Sequence, residues 1–422
     1  MHVYHAHIQS VIHDLAFSEP VNATWKLLRD PRIRAKFEQN GMLKQHRSLE
    51  VWIQDVATGQ IMTTGVLGAM ARRAKSGFTV SKLAFNMSTV AIQITGVAQS
   101  MALLGSKNMA RGIGKYVAGG AFLPGGVADK VRERSAFMRE RETTFQRDVY
   151  DMLNQTSTGP QMSVIAEGKD LLIRAGFYTM QKVQFYTVDM PTWLGAYEKA
   201  IGEGKSDADA AYEADRMVAR AQASGLFADR SAIERGSMTP TQRQNDFVRL
   251  FTALGSYMFT KLNVATEVVG RTDFRSPTQI VKMLMDMTLL FTLEAVMYNA
   301  IKGTLPGMGE DDEDDPTWGW FLARETALSA MGTMPFLRDM ASAAQNFGGG
   351  GAYAGVIETM TGPLGFFDGE MTMSDVRSAI DSLGLAVPGV PSTAINRIIK
   401  AEEARAAGGE VSPVAYIMGL PR

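Results

Sequence analysis

The stretch from Leu83 to Ser106 constrains the fold most, because its 24 residues include no charged side chain. Fourteen of these residues are apolar, two are glycine and eight are polar but uncharged. As an α-helix the stretch would be about 36 Å long, which is enough to cross a hydrocarbon core of about 30 Å. The stretch therefore predicts either a central core helix or a helix that enters a membrane.

The polar and small side chains of this stretch recur at steps of three and four residues, which places them in one stripe along a helix. We name this set the central stripe; it consists of Asn86, Thr89, Gln93, Gly96 and Ser100. Such a helix can be buried in a bundle. It can also be an interfacial or oligomer-forming membrane helix, because small and hydroxyl side chains allow close packing in lipid. A single spanning helix is disfavoured, since eight polar side chains would face lipid.

Composition favours a helical fold. The chain has 422 residues, enough for two or three domains, and it is rich in Ala, Leu, Met, Glu and Arg. Its 43 basic and 44 acidic residues nearly balance, so no global field points to nucleic acid. The lack of cysteine excludes disulfides and thiolate metal sites. We predict an all-α protein, a partly extended bundle of many helices with apolar amphipathic hairpins.

Shifts in composition predict three regions. Residues 1–128 form an N-terminal helical region around the uncharged helix over 83–106. Residues 129–275 form a middle bundle of charge-laced helices, and residues 276–422 form a C-terminal region with an amphipathic hairpin, a glycine-rich linker and short helices.

Several helix boundaries can be predicted from capping and breaking residues. The expected features are a first helix interrupted by Pro20, one long amphipathic helix over 129–153, a helix over 205–225 capped by Ser206 or Asp207, a helix begun by Pro277, and a last helix near 392–407 capped by Ser392.

No stretch carries a recognisable reaction centre. His5 and His13 are eight residues apart, two turns along a helix, which is too far for one metal ion shared with Asp14. The acidic run over 310–315 is typical of a solvated loop, although clustered carboxylates can hold a hard cation. The basic run over 29–53 fits a solvated helix face better than a phosphate contact. We expect no catalytic, cofactor-binding or metal-binding residue and no enzymatic activity.

Two further apolar segments flank the acidic run and would form the arms of a hairpin, 284–301 and 318–340. Trp318 and Trp320 lie where tryptophan would meet a membrane–water interface, and they would equally suit an amphipathic helix on a protein. Together with the central stripe, these segments give the candidate membrane or oligomer contacts, which are Asn86, Thr89, Gln93, Gly96, Ser100, Leu103, Leu104, Leu289, Leu290, Phe291, Trp318 and Trp320.

The order of several segments resembles the helical C-terminal region of the very large polyvalent or internal virion proteins of tailed bacteriophages and prophages. The resemblance covers most of the chain and rests on order, since each piece alone is unspecific. The pieces are VIHDLAFSEPV, AFNMSTVAIQITGVAQS, RSAFMRERETTFQRDVYD, DMPTWLGAYEKA with AYEADRMVARAQASG, DFVRLFTALGSYMFTKLN, the acidic run, MPFLRDM and VPGVPSTAINRI.

The resemblance implies a protein that is made in the host cytoplasm, packaged in the capsid and ejected with the DNA. It implies membrane-associating helices that help to form a DNA conduit, which would place the protein in the host envelope after ejection. A soluble virion scaffold that never meets lipid is the alternative. The expected partners are other virion or ejection proteins, a host membrane, DNA contacted without sequence preference, and further copies of this chain.

Overall fold

The computed structural model describes residues 2–58, 80–81, 84–142, 175–222, 256–302, 305–307, 317–332, 373–386 and 391–408. In these residues all the regular elements are helical and none is a strand. The predicted all-α class is therefore confirmed. The acidic run over 310–315 and the linker over 348–351 lie outside the described residues.

We number the helices in chain order. They are α1 (His2–Leu28), α2 (Pro31–Gln39), α3 (Leu43–Thr58), α4 (Met87–Ile92), α5 (Val97–Leu104), α6 (Ser106–Ala118), α7 (Val127–Arg134), α8 (Ala136–Arg141), α9 (Met190–Gly202), α10 (Asp207–Gln222), α11 (Ser256–Gly270), α12 (Pro277–Lys302), α13 (Trp318–Gly332), α14 (Met373–Ala386) and α15 (Ser392–Ala406). Helical residues 175–184 and a π-helical turn, Phe185–Asp189, lead into α9.

The first three helices pack against one another around an apolar core of Val21, Leu28, Ile53 and Val56. Contrary to the prediction, Pro20 does not end the first helix, and α1 runs through it. Proline removes only one backbone hydrogen bond from the ladder. The Thr24 hydroxyl donates to the Pro20 carbonyl oxygen at 2.8 Å, and α1 packs against α3.

The central stretch is not one helix from 83 to 106. Asn86 caps α4, since its side-chain oxygen accepts from the Thr89 backbone nitrogen at 3.2 Å. A 3-10 turn, Gln93–Gly96, joins α4 to α5, and α5 ends because Gly105 has a φ of +87°. The helical run from Met87 to Leu104 is about 27 Å long, shorter than the length that the sequence suggested.

The prediction of one long helix over 129–153 is also wrong, because the described residues form two helices, α7 and α8. Ser135 adopts an extended conformation between α7 and α8, and its hydroxyl oxygen accepts from the Met138 backbone nitrogen at 2.9 Å. A serine that caps a new helix ends the previous one, because its own backbone leaves the helical region. Residues 143–153 lie outside the described part of the chain.

Two other predicted helix starts agree with the structure. Pro277 begins α12, and Ser206 caps α10 by accepting from the Asp209 backbone nitrogen at 3.2 Å. The last helix lies where it was expected, but Ser392 is its first residue and not its cap, which is Pro391. The Ser392 hydroxyl is buried and donates to the Asp381 carboxylate of α14 at 2.6 Å, so it is a packing contact.

Helices α6 and α9 cross in close contact at two glycines. A Cβ atom on Gly112 would lie 2.2 Å from the Pro191 carbonyl oxygen, and one on Gly195 would lie 2.6 Å from the Asn108 carbonyl oxygen. Only glycine lets the two backbones approach this far. The crossing lies within the largest apolar core, which includes Leu104, Met109, Met138, Phe185, Trp193 and Val218.

Helix α5 passes from this core into a second one, shared with α10, α11 and α12. Its residues Ala102 and Leu103 pack there against Ala221, Val264 and Leu290. Arg271, just after α11, donates to the carbonyl oxygens of Ala102 and Leu103, the latter at 3.0 Å. A guanidinium at the carboxyl end of a helix satisfies open carbonyls and complements the helix dipole.

Within the described residues, no helix is both long enough and apolar enough to cross a bilayer. The longest apolar candidate, α12, carries Asp286 and Glu294. Asp286 is buried, and the Arg271 guanidinium lies 3.9 Å from its carboxylate.

The glycine crossing gives a test of the fold. Replacing Gly112 by alanine should destabilise the protein by at least about 1–3 kcal/mol, because the new methyl group would overlap backbone atoms of α9. The matched control is Gly114→Ala in the same helix, where nothing lies within 4 Å of the added Cβ. That control should gain up to about 1 kcal/mol from helix propensity. Urea unfolding followed by circular dichroism measures both, and equal stabilities would contradict the crossing.

Candidate functional site

The central stripe lies inside the molecule. Gly96 and Ser100 are buried, while Asn86, Thr89 and Gln93 are half-buried. At its first residue the stripe contacts α15, since the Asn86 side-chain oxygen accepts from Arg397 at 2.9 Å. The first residue of the stripe therefore contacts a helix of the same chain.

A single glutamine covers the deepest part of the stripe. The Gln222 side-chain nitrogen donates to the Gly96 carbonyl oxygen at 2.7 Å and lies 3.0 Å from the Ser100 hydroxyl. An amide group has two N–H bonds, so both contacts can be made at once. A Cβ atom on Gly96 would lie 2.7 Å from the Gln222 side-chain oxygen, so a larger residue here would require the Gln222 side chain to move.

Ser100 also contacts α9. Its hydroxyl lies 2.7 Å from the Thr192 hydroxyl, which in turn lies 2.6 Å from the Val188 carbonyl oxygen. Ser100 and Thr192 are both fully buried. Because each buried hydroxyl has a partner, the polar stripe can be enclosed in the protein without the cost of unsatisfied groups.

A buried ion pair extends this network. Asp189, on the π-helical turn, is 3% exposed and accepts from the Arg141 guanidinium at 2.6 Å. The same guanidinium donates to the Gln222 backbone carbonyl at 3.3 Å. Burial raises the pKa of Asp189, and the charge and hydrogen bonds of Arg141 oppose that rise. We name the connected set of Gly96, Ser100, Arg141, Asp189, Thr192 and Gln222 the polar seam.

A second charged group, the Glu142 cluster, lies beside the polar seam. The Glu142 carboxylate accepts from Arg132 at 2.5 Å, from Lys182 at 2.8 Å and from the Tyr186 hydroxyl at 2.9 Å. Burial alone would raise the pKa of Glu142, but these three donors outweigh it and lower the pKa to about 2. The carboxylate is therefore ionised at neutral pH and holds α7 to the segment that leads into α9.

A half-buried carboxylate fixes the junction of α7 and α8. Asp215, on α10, accepts from the Ser135 hydroxyl at 2.6 Å and from the Trp193 indole nitrogen at 2.7 Å. Burial raises the pKa of Asp215. The indole contact explains how the large Trp193 side chain is fully buried without leaving its N–H unsatisfied.

The other predicted contact residues divide into two groups. Leu103, Leu104, Leu290 and Phe291 are buried, and Leu289 is half-buried. Trp318 and Trp320 are 50% and 64% exposed. The structure thus separates the predicted set, since most of it serves the protein core and only the two tryptophans at the start of α13 face solvent.

Sequence reasoning missed one buried cation. Lys261, on α11, has no exposed side-chain surface, and its ammonium lies 2.8 Å from the Glu294 carboxylate and 3.1 Å from the Ser329 hydroxyl. The signal was present, because an acidic residue within the apolar run of α12 requires a cation if it is to be enclosed.

These networks join helices. The buried charges of the polar seam, the Glu142 cluster and the Lys261 pair are compensated by partners within the chain. Among the residues that the structure describes, no group of three or more histidine, cysteine or acidic side chains could hold a metal ion. The described geometry defines an all-α protein whose helices are fixed by buried polar networks. Comparison with protein-family models, curated proteins and solved structures finds no match to this chain.

The Glu142 cluster predicts a pH dependence. A carboxylate whose folded pKa is lowered from 4.5 to about 2 contributes stability above pH 4.5, and this contribution is lost as the pH falls towards 2. Glu142→Gln should lower the free energy of unfolding by up to about 3 kcal/mol at neutral pH. The difference between variant and wild type should shrink as the pH falls from 4.5 to 2, which urea unfolding at several pH values measures.

Glu133→Gln is the matched control. It makes the same chemical change, and Glu133 is exposed on the neighbouring helix α7. This variant should unfold like the wild type at every pH. A Glu142→Gln variant that parallels the wild type from pH 7 to pH 2 would contradict the cluster.

Proposed function

We propose that the protein is a non-enzymatic internal virion protein of a tailed bacteriophage or prophage, packaged in the capsid and ejected with the DNA. Within that role we propose that it acts as a helical scaffold or interaction module. The order of its segments supports the virion assignment, because that order resembles the helical part of internal virion proteins. The all-α fold is compatible with this assignment.

The burial of the polar seam is the observation that carries the scaffold form of the proposal. Gly96 and Ser100 are the small and hydroxyl residues that a membrane or oligomer helix would present to a neighbour. Here they contact Gln222 and Thr192 of the same chain. Because these residues already have partners within the chain, they support a folded module more than a helix that packs in lipid.

A membrane-associating conduit is the second candidate, and exposed apolar residues favour it. Val281, Leu284 and Met285 share one face of α12 and are each more than half exposed. Trp318 and Trp320 are exposed on α13, which packs against α12. In this form the two helices would meet the interface of a host membrane after ejection.

The virion assignment is tested on particles of the phage or prophage that encodes the chain. Mass spectrometry of purified virions should detect the protein, and protease added to intact particles should leave it undigested. After ejection is triggered, the protein should be lost from the emptied capsids together with the DNA. Its absence from purified particles would refute the assignment, and its digestion in intact particles would place it outside the capsid.

Cysteine labelling separates the scaffold from the conduit, because the chain contains no cysteine of its own. A Ser100→Cys variant should react with a maleimide at least roughly a hundredfold more slowly than an exposed thiol, since exposure requires local unfolding that costs about 3 kcal/mol or more. Trp320→Cys is the exposed reference, because this position is 64% accessible. The scaffold form predicts the same slow Ser100→Cys rate with and without anionic liposomes.

Fast labelling of Ser100→Cys only in the presence of liposomes would support the conduit instead. A charged substitution at Gly96 would not separate the scaffold from the conduit. Its side chain would collide with Gln222 and Val188 and disturb the fold whether or not lipid matters.

A further inference from the structure

An open groove lies between the first and third helices, far from the polar seam in sequence. Its volume is about 620 Å³, and it is lined by Trp25 and Arg29 of α1 and by Arg47, Glu50, Val51 and Gln54 of α3. Arg29 lies four positions after Trp25, and Glu50, Val51 and Gln54 lie three, four and seven positions after Arg47, so each set forms one face of its helix. The groove is therefore built from two aligned helix faces.

The groove belongs to the most basic part of the N-terminal helices. Between Lys26 and Arg47 the chain has seven basic and two acidic residues, and all seven basic side chains are exposed. One of the two acidic residues, Asp30, forms an ion pair with Arg32, whose guanidinium lies 2.8 Å from the Asp30 carboxylate. Arg29 and Arg47 form no ion pair with any described residue. Exposed guanidinium groups of this kind can bind an anion such as phosphate.

The groove also offers planar groups for stacking. The Arg29 guanidinium carbon lies 4.7 Å from the centroid of the Trp25 ring. Nucleobases stack on aromatic rings and on guanidinium planes, and phosphates bind arginine.

We propose that this groove binds single-stranded nucleic acid, with a base stacked on the Trp25–Arg29 pair and phosphates bound by Arg29 and Arg47. Glu50 lies in the same groove and repels phosphate, which confines the backbone to the arginine end. The proposal rests on the groove alone and holds for a virion protein or for any other.

A lipid headgroup surface would share the phosphate chemistry but not the geometry. Membrane-bound basic helices place apolar side chains beside their basic residues. Within the two segments that line the groove, residues 25–29 and 47–54, the exposed aliphatic residues are Leu27 and Leu49, and each lies two positions after a groove residue, Trp25 or Arg47. Two positions correspond to about 200° around a helix, so these side chains face away from the groove.

Fluorescence anisotropy of the full chain with a fluorescein-labelled oligothymidine tests the proposal. Arg47→Gln should weaken binding about fivefold at 0.1 M salt, the effect of losing one phosphate contact to a single strand, and should reduce the salt slope by about 0.7. Glu50→Gln should tighten binding, a gain that misfolding cannot imitate. An oligomer of the same length with abasic positions should bind about tenfold more weakly, since stacking is lost.

Arg34→Gln is the matched control, because Arg34 is exposed in the same basic run but lies outside the groove. It should change affinity less than twofold. Three results would overturn the proposal: no binding of the oligomer by the wild type, equal losses for Arg34→Gln and Arg47→Gln, or binding of phosphatidylserine vesicles without binding of the oligomer. The second result would indicate a diffuse basic field, and the third a membrane surface.

Discussion

The amide of Gln222 is the contact on which the central arrangement of helices depends. A helix with the composition of α4 and α5 must bury its apolar faces, yet its stripe of small and polar residues cannot be buried without partners. Gln222 supplies two hydrogen bonds from α10, and Thr192 supplies a third contact from α9. These contacts fix the rotation of α5, and that rotation directs Ala102 and Leu103 into the second core.

The periodicity of the central stripe could be read from the sequence, but its partners could not. Gln222 is more than 100 residues away from Ser100, and nothing local marks it as the residue that would cover Gly96. The division at Ser135 could have been predicted, since serine is a strong cap, but the alternating charges on both sides favoured one long helix. The groove between α1 and α3 could not be predicted, because helices separated by α2 contribute its two faces. The sequence showed only that the run was basic.

Charge placement explains why the most apolar helices join a bundle in the described residues. Helix α12 has the length of a membrane span, but Asp286 and Glu294 divide its surface. Glu294 is matched by the buried Lys261, and Asp286 lies near Arg271, which also closes α5. Each acidic residue therefore specifies a neighbouring helix. Removing one partner from such a pair is costly, whereas the intact pair adds little to stability and mainly selects the arrangement.

The free-energy cost of breaking the polar seam limits the ways in which the central stripe could contact lipid. Separating α5 from α9 and α10 would break the contacts of Ser100 and Gln222, at about 1–3 kcal/mol for each unsatisfied group. It would also disturb the Arg141–Asp189 pair, at about 3–5 kcal/mol if one partner is left behind. Together these costs approach the whole stability of an ordinary domain, about 5–15 kcal/mol. A rigid-body hinge motion of a folded bundle is therefore not enough to expose the central stripe. A conduit built from the central stripe would therefore require the bundle to unfold first, as passage through a narrow tail would impose, and to refold against a different partner.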